Sequence, residues 1–559
     1  MNASTSPVPG NAGTAWTART TTTNLRSRGG CGECRRVHRK CDERRPSCGR
    51  CVATRKACSY HKPLSWGGRP FAKSSFGVLA ANEAVSATPA EWEDSSVPES
   101  RRSFVYSATA FSTGAEHAAD AGVSNRSSTA GTASGSSPVS LAAIVQPDVL
   151  CQLSEGDRSL IHHFAYHLTP CFSLSPTQHD KFCRTFLPLA LDRTYGGAVL
   201  SAIVLCTTIH RASPGSDAAQ RAQLYLKCIR ELQQVLRHPA PIRGDVAAAA
   251  CLVLCLADIL AGGQDFGAWK LHLNGAAASL DAVQSDAVAT QRSLSETTSF
   301  LWRWCRSLRT VGFSTANPDQ SNFVMDTGSN GEPSKPFHYI DVFDGFSTDL
   351  VPIFRDINDM AVEMRAIRTL ELQSSGSADS HCIWDLRCML LRRGQRLVSQ
   401  LENMAKAPVN KLDPSLPQSV RDEHGAEFRL LNKACHHTAL LEIYQRVLNK
   451  SPSDPEVQNQ VEAGIKCLKS LNLTKGSTPG VASLHPVFII GCSATTASDR
   501  MFIMDWLGNM RQLYRMGNVP SAKLFLFELW QHNDALKSAE DYAQWHDFML
   551  QKNMDLSLY

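Results

Sequence analysis

Six cysteines fall within twenty-eight residues, spaced Cys31-x2-Cys34-x6-Cys41-x6-Cys48-x2-Cys51-x6-Cys58. The unit C-x2-C-x6-C therefore occurs twice, offset by seventeen residues. A C-x2-C turn brings two sulfurs onto one ion at about 2.3 Å, and a six-residue stretch returns a third. Each unit thus supplies three ligands where tetrahedral zinc takes four. Two ions need eight ligand positions and only six thiolates exist, so two sulfurs must bridge both metals. The spacing predicts a binuclear cluster with all six cysteines as ligands and two Zn2+ ions per chain. Soft sulfur donors, no open coordination position and no carboxylate beside the site point to a structural metal rather than a catalytic one.

Charge is concentrated in the same place. From Arg26 to Lys62 there are twelve Lys or Arg against Glu33, Asp42 and Glu43, a net of +9, while the whole chain carries only +5. The remainder is therefore slightly acidic, and the basic segment has the footprint of a module that meets phosphates. The same charges would serve nuclear import. The other thirteen of the nineteen cysteines are scattered singly through apolar stretches, among them Cys206, Cys251, Cys255 and Cys435. Residues 1–23 lack the apolar core of a secretory signal, so a disulfide framework is disfavoured and an intracellular location is expected. The most apolar run, Val246 to Ala261, is interrupted by Asp258 and is too short to span a bilayer, which makes it a buried helix.

Composition divides the chain further. Residues 1–25 read as disordered, 26–62 as the cysteine module, 63–148 as a flexible linker rich in Ala, Ser, Thr and Gly, and 149–559 as a globular all-α domain. Apolar residues recur at helical spacing at Leu160, Ile161, Phe164 and Leu168, with Asp157 placed to cap the start. Similar stripes run through Leu224, Cys228, Ile229, Leu232 and Leu236, and through Leu430, Leu431, Ala434, Leu441, Tyr444 and Leu448. A polar loop is expected near Asn317 to Pro336. No heptad run follows the cysteine module, so the oligomeric state stays open.

The run from Arg26 to Cys48, with its Cys41-Asp-Glu step and Pro46 between the units, resembles the fungal six-cysteine binuclear zinc-cluster family, Zn(2)-C6. That resemblance implies Cys31 and Cys48 as the bridging thiolates. It also implies a short first helix that reads a CGG-type triplet in the major groove of double-stranded DNA, with Arg35, Arg36, His38, Arg39 and Lys40 as DNA contacts. Lys40 matches the family's lysine before the third cysteine. Val37 and His38 depart from it, since members commonly carry basic residues there. One imidazole nitrogen donates to guanine more weakly than an ammonium does.

Blocks downstream are similar to the helical regulatory region of many such factors, most nearly the branch of the acriflavine-sensitivity regulators. They include Ile161-His-His-Phe, Phe186-Leu-Pro-Leu-Ala, Leu252-Val-Leu-Cys-Leu and Pro486-Val-Phe-Ile-Ile-Gly-Cys. The resemblance implies a nuclear regulator of RNA polymerase II genes controlling a metabolic, drug-response or secondary-metabolite set. Its partners would be DNA, transcription co-regulators and a small-molecule effector, with no membrane. The competing reading is a zinc-stabilised nuclear protein-interaction module that does not read DNA sequence.

Other chemical groups in the helical half read as packing. His163 and His167 form an i, i+4 pair without an acidic partner, and His436 and His437 are adjacent and cannot share one helix face. Cys251 and Cys255 lie on an apolar helix, and Trp269, Trp302 and Trp304 read as core aromatics more than as a pocket lining. Neither a Gly-rich phosphate loop nor a nucleophile elbow is present there, so no enzyme is expected.

Overall fold

The computed structural model describes residues 31, 33–34, 37, 39, 41–42, 44, 47–56 and 58, then 141–145, 147–212, 218–237, 242–262, 268–312, 338–373, 380–536 and 542–559. The chain falls into two units, one holding the cysteine module and one holding everything from 141 onward. The expected disorder at 1–25 and most of the expected linker and polar loop lie outside the described residues.

In the first unit the thiol repeat is also a backbone repeat. Val37 N–H donates to Glu33 O at 3.1 Å and Arg39 N–H to Cys34 O at 2.9 Å. Seventeen residues later Thr54 N–H donates to Arg50 O at 2.9 Å and Lys56 N–H to Cys51 O at 3.0 Å. Helix α1 (Gly49–Ala53) is capped at its start by Cys48, whose sulfur accepts from Cys51 N–H. It ends with Arg55 at φ 51°, and the bond from Lys56 back to Cys51 spans that left-handed residue as in a Schellman motif. The reversal turns the chain back towards Cys58.

The second unit is all helical apart from isolated bridges at Ile340 with Ser347 and Leu412 among its described residues. Its helices run α2 (Leu141–Ile144), α3 (Pro147–Cys151), α4 (Glu155–His163), α5 (Pro176–Ala190), α6 (Gly197–Arg211), α7 (Ala218–Leu236), α8 (Ile242–Leu260), α9 (Ala268–Ala289) and α10 (Glu296–Gly312). After 338 come α11 (Leu350–Gln373), α12 (Ser380–Lys406), α13 (Gln418–Glu442), α14 (Pro455–Lys469), α15 (Leu484–Ser493), α16 (Ala497–Tyr514), α17 (Asn518–Asp534) and α18 (Trp545–Gln551).

Helix α8 is buried on every face from Val246 to Ala257, with Asp258 partly exposed, because it packs between α6 and α9. The alanines at 247–250 let those neighbours approach closely. No described helix is long and apolar enough to cross a membrane. The end of α8 meets the start of α17 with almost no gap: a Cβ on Gly517 would lie 1.9 Å from Leu260 O. Only glycine fits there.

Two details differ from the sequence pattern. Asp157 is not the cap of α4; Ser154 is, its hydroxyl accepting from Asp157 N–H at 3.0 Å and lying 2.8 Å from the Asp157 carboxylate. An acid in the first turn and a cap residue are alike in sequence, and the hydroxyl reaches the orphan N–H while the carboxylate supports the hydroxyl. The globular fold also begins before 149, since Val145 is only 6% exposed in the core and Leu141 N–H donates to Tyr166 OH at 3.2 Å.

Candidate metal centre

In the cysteine module the buried cluster consists of cysteines alone among the described residues, as expected of a stretch too short to bury a hydrocarbon core. Cys31, Cys34 and Cys48 are wholly buried, Cys41 and Cys51 nearly so, and Cys58 partly exposed. Their sulfurs form two groups of four: Cys31, Cys34, Cys41 and Cys48, and Cys31, Cys48, Cys51 and Cys58. Within each group all the sulfurs lie within 4.8 Å of one another. Cys31 and Cys48 belong to both groups.

Zinc fits this arrangement. Four sulfurs at about 2.3 Å from one ion sit about 3.8 Å apart along the edges of a tetrahedron. Here the Cys31 and Cys48 sulfurs are 3.7 Å apart, Cys31 and Cys51 3.6 Å, and Cys34 and Cys48 3.7 Å. Thiols crowded to this distance gain little from one another, whereas thiolates around divalent cations are held strongly. Backbone donors repeat across the units as well. Cys31 N–H points to the Cys41 sulfur at 3.5 Å, and Cys48 N–H points to the Cys58 sulfur at 3.2 Å.

A carboxylate does stand beside the cluster, contrary to the expectation from sequence, but it is already engaged. Asp42 accepts from Gly49 N–H at 3.0 and 3.2 Å through its two oxygens, so the acid after the third cysteine caps the first turn of α1. A Cβ on Gly49 would come within 2.8 Å of that carboxylate. Asp42 thereby clips one half of the module to the other. The Cys-Asp step hinted at this, although its partner seven residues on was not evident.

Of the expected DNA contacts, Arg39 is exposed, while Arg35, Arg36, His38 and Lys40 lie outside the described residues. Val37, at one departing position, is partly buried.

In the helical unit the remaining candidates behave as packing groups. His163 Nε2 lies 2.9 Å from His210 Nδ1, and His210 Nε2 lies 3.2 Å from Tyr514 O. Since the carbonyl can only accept, His210 donates to it and receives from His163. Burial, reinforced by His210, pushes His163 down to about 4, so the pair is neutral. Neither His163 nor His167 joins a metal-capable group among the described residues. His437 Nδ1 lies 2.8 Å from Gln460 Oε1, and His436 is buried with neither ring nitrogen hydrogen-bonded.

Cys251 and Cys255 are fully enclosed, their thiols pushed up by burial. Trp269 and Trp304 are buried, and Trp302 is partly so. Trp304 packs against Phe172, Phe182 and Phe186, with ring centroids 4.9 to 5.8 Å away.

Comparison with known families agrees with both halves. Residues 29–67 match the fungal Zn(2)-Cys(6) binuclear cluster domain, and residues 159–559 match the fungal specific transcription factor domain. No curated protein and no solved structure matches the chain. The second match covers most of the chain and the first coincides with the paired sulfur groups. The chain therefore belongs to the fungal-specific transcription factor family, and is a DNA-binding regulator of transcription that holds two zinc ions in a binuclear cysteine cluster.

Proposed function

We propose that this protein is a nuclear, sequence-specific regulator of RNA polymerase II genes. Cys31, Cys34, Cys41, Cys48, Cys51 and Cys58 hold the two zinc ions, with Cys31 and Cys48 bridging. The segment carrying Arg35, Arg36, His38, Arg39 and Lys40 enters the major groove over a CGG-like triplet. Residues 26–62 form the reading module, 63–140 tether it, and the helical unit from 141 onward recruits co-regulators or responds to a ligand. The observation that supports this reading is the sharing of Cys31 and Cys48 between two four-sulfur groups, the first of which also holds Cys34 and Cys41, the cysteines on either side of the basic segment. A rigid, short, basic segment is what groove entry requires.

Selection of bound duplexes from a random pool, using the full zinc-loaded chain, tests the reading. Enrichment of a CGG-like triplet is expected, along with loss of binding and retention of zinc when Arg35, Arg36 and Lys40 are replaced by Ala. A pool that stays random, or a triple variant that binds as before, would favour the protein-interaction module instead.

A further inference from the structure

Helices α11 and α12 form a hairpin held by ion pairs at two levels. Near its tip Arg387 donates to both oxygens of Glu371 at 3.0 Å, and farther along Arg393 stands 3.6 Å from Asp356 and 3.9 Å from Glu363. One face of α12 is spent on the core: Ile383, Leu390, Leu397, Val398 and Leu401 are buried, and Gly394 lies against Val447 and Leu448. A helix with one face so placed ordinarily turns a polar face to water.

This hairpin instead carries an apolar surface outward. Twelve large apolar side chains are exposed among the described residues, and six of them, Val362, Leu370, Leu372, Trp384, Leu386 and Met389, belong to α11 and α12. Trp384 is 61% exposed and Met389 57%. A single exposed apolar residue needs no explanation, but half of the total on one pair of helices marks an interaction surface. All but Val362 lie towards the tip, where the Glu371–Arg387 pair joins the end of α11 to the start of α12.

The charges on α12 indicate what covers it. Asp385, Met389 and Arg392 follow one another at i, i+4 and i+7, so they form one outward line, and all three are exposed. The side chains of Asp385 and Arg392 make no hydrogen bond or ion pair among the described residues. Seven residues put them about 10 Å apart along the helix, too far to meet each other. Laid antiparallel about a two-fold axis beside Met389, a second α12 brings its own Arg392 to Asp385 and its own Asp385 to Arg392, with the two Met389 side chains together at the axis. An acid and a base on either side of an apolar centre make a self-complementary pattern, which is what an isologous contact requires.

We propose that the outer face of this hairpin pairs two copies of the chain, α12 against α12, through Met389 and two reciprocal Asp385–Arg392 ion pairs. A foreign segment of one charge would satisfy only one of the two exposed charges, whereas a second copy satisfies both. The helices have 24 and 27 residues. Side by side, helices of that length present a face of roughly 800 Å2, which is what one partner buries in a standard interface. The pairing belongs to the helical unit and does not depend on how DNA is read.

Sedimentation equilibrium of the full zinc-loaded chain without DNA, from about 1 to about 100 µM, tests this, and a reversible monomer–dimer equilibrium is expected within that range. Met389→Glu, which sets two carboxylates face to face at the axis, should leave monomer throughout. Asp385→Arg and Arg392→Asp should each weaken association at least about tenfold, because each places like charges opposite one another twice. Mixing these two variants in equal amounts should restore the parent affinity, since every facing pair is then an acid against a base. All three positions are exposed, so the thermal melts of the variants should match the parent. A chain that stays monomeric to the top of the range, a dimer indifferent to Met389→Glu, or charge variants that associate no better mixed than apart would each overturn the proposal.

Discussion

Cys31 and Cys48 stand within ligand reach of both four-sulfur groups, whereas Cys58 serves one group and is partly exposed. Removing a shared sulfur leaves three donors at each metal; removing Cys58 leaves one site whole. Serine is a hard, weakly acidic donor and a poor substitute for thiolate. Cys31→Ser should therefore lower zinc from two ions per chain to well under one, while Cys58→Ser retains about one. Elemental analysis of the dialysed proteins checks the contrast, and equal losses would show that the sulfurs are not shared.

The six thiols were legible because ligand spacing is local and written directly in the chain. Asp344 was not, since it is buried by elements distant in the chain, its side chain fully enclosed with Arg306 3.6 Å away. Burial, helped by Asp341, pushes it up to about 6. Its folded pKa lies above that of the unfolded chain, so the native state binds the proton more tightly. The resulting stabilisation is full below about 4 and fades as pH rises through about 6. Asp344→Asn removes that penalty, so it should raise the melting temperature of the helical unit at pH 7.5 and leave it nearly unchanged at pH 4. Melts followed by circular dichroism at the two pH values would reveal a wrong sign.

Among the helices, apolar stripes carried the reading well. The residues marked at Ile161, Phe164, Leu168, Cys228, Leu232, Leu431, Ala434 and Leu441 are all buried. The apolar run in α8 is a helix covered on all sides. Periodicity could not show where helices change pitch: α4 passes into a π-helical turn at Phe164–Leu168, and α13 into another at Ile443–Val447. Such turns depend on packing from outside the helix.

The second π turn sits at a charged joint. Glu442, with no exposure, accepts from Arg446 at 2.6 Å and from His485 at 2.9 Å, and Arg446 also donates to Asn358 at 2.6 Å. Three elements, α11, α13 and α15, are tied through one carboxylate. Because Arg446 would be left as a buried cation without its partner, Glu442→Ala should destabilise the helical unit by about 3–5 kcal/mol. Denaturant melts measure it; a loss below about 1 kcal/mol would mean that the joint is solvated.

At the scale of the whole molecule, the two units hold together by different physics. In the cysteine module there is no hydrocarbon core among the described residues, so metal binding must supply most of its folding free energy. The helical unit has one continuous apolar core, and both metal-capable groups among the described residues belong to the cysteine module. A strong chelator should consequently abolish DNA binding while the cooperative helical melt keeps its midpoint. Salt should act on the same half only. If four of the basic residues between Cys34 and Cys41 neutralise one phosphate each, affinity falls by roughly 10²-fold between 50 and 200 mM salt, since each contact releases close to one counterion. Gel-shift titrations at the two concentrations, with and without chelator, alongside melts of the same samples, give all four readings. A helical melt that shifts with chelator would mean that the zinc module stabilises the helical unit, and an affinity flat in salt would remove phosphate contact as the source of binding.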